Sequence, residues 1–172
     1  MEILAGPAIT ELPERPTVGI RLGTPFRGMF AVRDELMREL YAWLDDHGLK
    51  HGLTFFRLHV VDMEGQMEIE VGVVTDAPVD PAALDQPGED TGRVAAGVLP
   101  AGRYATMTYV GHGRRANGHL IDWVRAGEET FDCVEDPAGD RFGCRYEAYP
   151  TDPRTERLKT KWQIELAIRL RD

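Results

Sequence analysis

One pattern of alternation, met twice, decides most of what this chain can fold into. Met67, Ile69, Val71 and Val73 alternate with Glu68, Glu70 and Gly72. Far downstream, Trp162, Ile164, Leu166 and Ile168 alternate with Gln163, Glu165 and Ala167 in the same order. A period of two is the mark of a strand with one buried and one wet face. Each of these strands closes a longer unit of similar plan. In the first unit, Val18, Ile20 and Leu22 alternate with Gly19 and Arg21, and Thr24-Pro25 ends the strand. A helix follows from about Met29 to His47. Leu36, Met37, Leu40, Tyr41 and Leu44 fall on one face, while Arg33, Asp34, Arg38, Asp45 and Asp46 lie largely off it. Gly48 is placed to stop this helix. Phe55 to Asp62 reads as a strand and Glu64-Gly65 as a turn into the Met67 strand.

The second unit repeats strand, helix, strand, strand. Gly102 to Val110 is a strand and His112-Gly113 a turn. A helix over about Arg115 to Thr130 carries Leu120, Ile121 and Val124 and is weakened by Gly127. Phe142 to Tyr149 and Thr160 to Leu170 are the closing strands. Arg57-Leu58-His59-Val60 lies over Arg145-Tyr146-Glu147-Ala148, as the Met67 strand lies over the Trp162 strand. Between the units, Asp76 to Gly92 holds Pro78, Pro81 and Pro87 with several acids and reads as a surface connection. The expected fold class is α+β: duplicated strand–helix–strand–strand units, over about 17–76 and 93–171, with antiparallel sheet and pseudo-twofold symmetry. The expectation is one domain over 1–172.

Composition bounds the setting. Apolar residues make up 42% and charged residues 28% of the 172, a globular balance. No apolar run approaches the ~20 residues that span a bilayer. Met1 to Pro16 lacks a basic start followed by an apolar stretch, so no secretory signal is expected there. The two cysteines, Cys133 and Cys144, fit a reducing cytoplasm better than a disulfide framework. A net charge of −9 argues against direct nucleic-acid contact, which needs a basic surface. Retention of a duplex DNA probe at ~150 mM salt is not expected.

Several chemistries lack their residues. His47 and His51 are split by Gly48, and His59, His112 and His119 have no ligand spacing, so no metal site is expected. Gly111-His112-Gly113 lacks the Lys-Ser/Thr of a phosphate loop, and no cofactor is expected. The chain has no serine, which removes serine-hydrolase chemistry. Neither cysteine has an evident histidine partner.

The carboxylates and aromatics of the second unit remain. Alternation puts Arg145, Glu147 and Tyr149 on one strand face, with Cys144, Tyr146 and Ala148 on the other. A carboxylate among aromatics suits a lipophilic cation, because ring faces and carboxylate both attract positive charge. The other reading of Glu147 is a solvated strand residue paired with Arg145. Glu165 shares a face with Gln163, Ala167 and Arg169. It is either a second cleft carboxylate near Glu147 or an exposed residue balanced by Arg169. Glu68 and Glu70 read as the wet face of a strand. Tyr104, Tyr109, Trp123, Tyr146, Tyr149 and Trp162 all lie in the second unit. Trp162 heads an apolar alternation and reads as core. Trp123 fits core or cleft wall. Tyr109 and Tyr149 are the expected ligand contacts.

Arg145-Tyr146-Glu147-Ala148-Tyr149, the Asp152-Pro153 turn and Leu158 to Leu166 together resemble the C-terminal hairpin of gyrase-inhibitor-like small-molecule-binding proteins. Leu99-Pro100-Ala101-Gly102-Arg103-Tyr104 is similar to that family's entry into its second half. The same domain is the drug-sensing part of several multidrug-responsive bacterial transcription activators. The resemblance runs from about Val18 to Leu170. Ile168-Arg169-Leu170-Arg171 departs from the isoleucine–proline ending of many relatives. The resemblance implies a cleft between two related halves with Glu147 inside it. With only a short lead before Val18, a stand-alone version without a DNA-binding module is expected. It implies capture of hydrophobic, often cationic, small molecules by Glu147, Tyr149, Tyr109, Tyr104, Trp123 and Glu165. The alternative it implies is a hydrolase of cyclopropane-bearing alkylating natural products, with Glu147 catalytic and Tyr104 or Tyr109 assisting. A protein partner is permitted by the acidic surface but required by nothing in the sequence. No membrane partner is expected.

Overall fold

Every strand ladder in the computed structural model is antiparallel, and the ladders join into one ten-stranded sheet. The structure describes residues 1–80, 84 and 93–172. The elements are β1 (Glu2–Leu12), β2 (Arg15–Pro25), α1 (Met29–Asp46), β3 (Thr54–Val61), β4 (Gln66–Val74), β5 (Val94–Leu99) and β6 (Gly102–Val110). They continue as α2 (Gly113–Ala126), β7 (Cys133–Asp136), β8 (Gly139–Phe142), β9 (Arg145–Tyr149) and β10 (Gln163–Arg169), with a short 3-10 turn at Lys159–Lys161. The sheet runs β1-β6-β10-β9-β3-β4-β2-β5, and the β7–β8 hairpin hangs from β3.

That order reads the same from the centre outward in each direction. On one side β9 leads to β10, β6 and β1; on the other β3 leads to β4, β2 and β5. The α+β class with pseudo-twofold halves is therefore what the sheet displays. In β4 and β10, Met67, Ile69, Val71 and Val73 are buried, as are Trp162, Ile164, Leu166 and Ile168. The ladders correct the second overlay. Phe56 pairs with Val71, and Glu147 pairs with Leu166. With Val71 laid on Leu166, it is Phe56, not His59, that matches Glu147. Phe56 and Glu147 are also direct partners across β3 and β9, so the pseudo-twofold axis passes between them.

Both helices cover one face. Met29, Leu36, Met37, Leu40, Trp43 and Leu44 of α1 are buried, as are Ala116, Leu120 and Val124 of α2. They pack with Ile20, Ile69, Val71, Tyr109, Tyr149 and Leu166 in the larger core. The other face carries a smaller cluster of Phe55, Leu99, Tyr104, Cys144, Tyr146, Ala148 and Ala167. The α1 helix ends where expected: Gly48 takes φ +62°, and the Leu49 N–H donates to the Leu44 carbonyl at 2.9 Å. The α2 helix stops at Ala126, four residues before the expected end, because Gly127 leaves the helical conformation.

Four further expectations are corrected. Met1 to Pro16 is not a lead: β1 pairs with β6 along most of its length. It is an edge strand, with Ile3, Leu4 and Ile9 exposed, so it shows no alternation. Val94–Leu99 is likewise an edge strand beside β2. The Phe142 to Tyr149 strand is broken at Gly143-Cys144, and its first part belongs to the β7–β8 hairpin. The surface connection over Asp76 to Gly92 lies largely outside the described residues. Of its described members, Val79 is half-buried against the core and Leu84 is buried, so Leu84 is not a surface residue. Among the described residues, no helix is long and apolar enough to cross a membrane.

Gly19 and Gly72 are paired across β2 and β4. A Cβ on Gly72 would lie 2.4 Å from the Phe55 ring and 2.9 Å from the Val18 carbonyl. Phe55 thus occupies the space that Gly72 leaves. Gly72→Ala is expected to destabilise the fold by about 1–3 kcal/mol, read by urea denaturation. An unchanged midpoint would show that the ring moves aside freely.

Candidate functional site

Strand β9 presents Arg145, Glu147 and Tyr149 toward the helices, and α1 delivers Arg33 to meet them. The Tyr149 hydroxyl donates to Glu147 Oε1 at 2.6 Å. Arg33 Nη1 donates to the Tyr149 hydroxyl at 3.3 Å and lies 3.6 Å from Glu147 Oε1. The rest of the guanidinium is held by its neighbour: Nε and Nη2 each donate to Asp34 Oδ1 at 3.1 Å. Lys159 pairs with the other Asp34 oxygen. The Arg33 guanidinium carbon also sits 4.9 Å from the Phe30 ring centre and 5.8 Å from those of Phe56 and Tyr149. A planar cation therefore rests in a three-ring cage over a carboxylate. Tyr149 is braced from behind by Trp162, with ring centres 5.3 Å apart.

This cluster is largely dry. Arg33 is 6% exposed, and the Glu147 side chain 14%. Burial pushes the Glu147 carboxyl above its ordinary value, and the Tyr149 hydrogen bond, Arg33 and Arg145 oppose that shift. Burial also lowers the pKa of Arg33, but Tyr149, Glu147 and Asp34 outweigh it and hold it above its usual value. Burial, then the Glu147 charge, pushes the Tyr149 phenol well up. Tyr109 is fully buried on β6, two strands away across β10, and its phenol is raised by burial and by Glu147. Among the described residues its hydroxyl has no hydrogen-bond partner.

Arg145 lies at the other end of the same strand face. It borders a groove of about 900 Å³ between α2 and the β7–β8 hairpin. A second cavity, of about 340 Å³, lies beyond Tyr149 and is lined by Tyr41, His51 and Arg154 among others. Neither reaches Glu147, because Arg33 and its ring cage fill the space over it.

The structure brings Glu147 and Tyr149 into contact, with Tyr109 on β6 near enough for the Glu147 charge to act on it. Glu147 is not a solvated residue paired to Arg145; its near cation is Arg33. Three other expected contacts lie elsewhere. Glu165 pairs with Ala148 on the ladder and points with Ala167 to the opposite face, exposed. It cannot approach Glu147, because adjacent strands keep their faces in register. Tyr104 is also on that far face, donating to the Pro100 carbonyl at 2.6 Å. Trp123 is 39% exposed on the outer side of α2, neither core nor cleft wall. Arg33 and its cage residue Phe30 escaped the sequence reading. Arg33 stands three and four residues before Leu36 and Met37, so it lies within their buried stripe and not off it as expected; an arginine on an apolar stripe reads as out of place unless its partners are known. Among the described residues, no group of three or more His, Cys, Asp or Glu is placed to hold a metal.

The sheet is thus arranged about a pseudo-twofold axis, with the buried Glu147 at that axis and both helices on one face. The chain belongs to the family of GyrI-like small molecule binding domains, whose model matches residues 6–171. Its fold is shared by several solved structures. EcmrR in its DNA complex is 18% identical with a TM-score of 0.60, covering 96% of this chain and 57% of that one. A hydrolase from Listeria innocua is 14% identical with a TM-score of 0.62, covering 95% and 91%. SAV2435, solved with bound tetraphenylphosphonium, is 14% identical with a TM-score of 0.56, covering 99% and 94%. A short stretch of 61 residues is 30% identical to the outer membrane usher protein YbgQ of Escherichia coli. The chain spans 8% of the length of that relative.

Proposed function

We propose that this domain captures hydrophobic, often cationic, small molecules over Glu147, at the junction of its two halves. The observation that carries the reading is Arg33. A flat, delocalised cation already lies in the Phe30, Phe56 and Tyr149 cage with Glu147 as counter-charge. The cage therefore suits such a cation, and Arg33 acts as a resident stand-in. An incoming lipophilic cation displaces the guanidinium, which keeps its hold on Asp34 as it leaves. Tyr109 closes the floor with a free hydroxyl. The expected roles are drug sequestration or sensing. Two free cysteines fit a cytoplasmic setting, and the net charge of −9 argues against direct DNA contact.

Calorimetric titration with tetraphenylphosphonium tests this. Saturable binding with a change in the emission of Trp162, which touches Tyr149, is the expected result. No saturable response at millimolar ligand would overturn the reading.

A second reading draws on the same residues. A carboxyl raised by burial, beside a phenol without a partner, suits a hydrolase that opens a cyclopropane-bearing alkylating substrate. Water adds to a cyclopropane carbon, Glu147 takes its proton, and the broken carbon–carbon bond leaves its electrons on the conjugated part of the substrate. Mass analysis of strained electrophiles after incubation separates this reading from capture alone.

A further inference from the structure

Arg145 acts on Glu147 only through its charge and makes no direct contact with the Arg33 cluster. It is 9% exposed, and its guanidinium lies 4.9 Å from the Phe142 ring. Its side-chain hydrogen bond is to a neutral acceptor, Asn117 Oδ1, at 3.3 Å. Among the described residues no carboxylate stands within 4.0 Å of it as an ion-pair partner. Every other strongly buried arginine charge here is matched: Arg33 has Asp34 and Glu147. A buried guanidinium with five donors and one long bond to an amide is a costly arrangement in a protein that only has to fold. Burial accordingly lowers its pKa.

This arginine borders the 900 Å³ groove between α2 and the β7–β8 hairpin. That volume suits a ligand of drug size. Part of the groove wall is apolar: Ile121, Phe131, Phe142 and Ile168 line it, and Val134 is 59% exposed. Asp62, Glu135, Asp136 and Asp140 also border it, with Arg125 and Arg171. Asp136 is committed to Arg141, and Arg171 donates to the Cys133 carbonyl. The groove thus has a single buried cation, a partly apolar wall and acids toward the hairpin.

We infer that this groove is a second ligand site, one that takes an apolar monocarboxylic acid with its carboxylate on Arg145. A guanidinium fork matches the two carboxylate oxygens. The acids on the hairpin disfavour a doubly charged head such as a phosphate monoester. The Phe142 ring and the α2 face cover the hydrocarbon body. The assignment does not rest on the cation reading of Glu147, because the groove stops short of that residue.

Decanoate is the probe, with 1-decanol as its uncharged counterpart, both titrated by calorimetry. Decanoate is expected to bind at least tenfold tighter than decanol and to raise the melting temperature. Arg145→Met is expected to erase that preference. It removes an unpaired buried charge, so the variant should fold. Asn117→Asp is an independent variant: it sets a carboxylate beside Arg145 and should weaken decanoate at least tenfold while raising the melting temperature of the free protein. Tetraphenylphosphonium, if it binds, should bind alongside decanoate. Equal affinity for acid and alcohol, no decanoate binding at 10 mM, or an unchanged preference in Arg145→Met would each overturn the assignment. One-for-one displacement of decanoate by tetraphenylphosphonium would overturn its being a separate site.

Discussion

Arg33→Met is expected to destabilise the fold at pH 8, to do so much less at pH 5, and to tighten tetraphenylphosphonium binding. The substitution leaves Glu147 buried beneath three rings without its near cation. Removing one partner of a buried pair costs about 3–5 kcal/mol when the other stays charged. Here the carboxyl has an escape, because it can take up a proton. Burial already holds its folded pKa above the ordinary value. Without Arg33 that pKa rises further, since the nearby Arg33 charge lowers it. A carboxyl with a raised folded pKa binds more protons folded than unfolded. Its contribution is fully present below the unfolded pKa and is lost as pH rises through the folded one. Thermal unfolding of the variant should therefore show a midpoint that falls from pH 5 to pH 8 more steeply than in the parent protein. The binding effect has the opposite sign. The cage is vacant in the variant, so a cation no longer has to displace a resident one, and affinity at pH 8 should rise roughly tenfold. A parallel pH dependence in both proteins would show that Glu147 does not sense Arg33. Weaker binding in the variant would show that Arg33 holds the ligand rather than standing in for it.

Alternation made the central strands legible and hid the edges. β4 and β10 could be read because each buries one face under a helix, so selection for burial is written in every second residue. β1 buries little, and Ile3, Leu4 and Ile9 are as exposed as loop residues, so its sequence carries no period. The β7–β8 hairpin is short, with strands of four residues each, too few for a pattern to stand out. The site divides in the same way. Glu147 and Tyr149 share a strand face by parity, and parity is local. Arg33 reaches Tyr149 across 116 positions of sequence, a contact that only the packing of α1 on the sheet creates. Glu165 shows the reverse error. Sequence puts it one strand from Glu147, but the β9–β10 register pairs Glu147 with Leu166, and Glu165 faces away. The three-residue slip in the second overlay has the same origin: Phe56 and Glu147 are alike in position and unlike in chemistry.

That unlike pair makes Glu147→Gln the most telling change. The pseudo-twofold axis passes between Phe56 and Glu147, so the charge stands at the centre of the sheet with no symmetry mate. The amide keeps the side-chain shape and an oxygen for the Tyr149 hydroxyl, now donating at 2.6 Å. Only the charge goes. A hydrogen bond or contact to a charged group is worth about 1.5–3 kcal/mol, so tetraphenylphosphonium affinity should fall roughly tenfold to a hundredfold. A neutral ligand of similar shape should lose far less. Glu68→Gln is the control, because Glu68 pairs with Arg21 where both side chains meet solvent. Added to Arg33→Met, the change should also abolish the pH-dependent part of that variant's instability, since no carboxyl is left to titrate beneath the cage. If the domain hydrolyses strained electrophiles, turnover should vanish in Glu147→Gln while binding of the uncharged substrate persists. Cation affinity and turnover both unchanged would remove Glu147 from the site altogether.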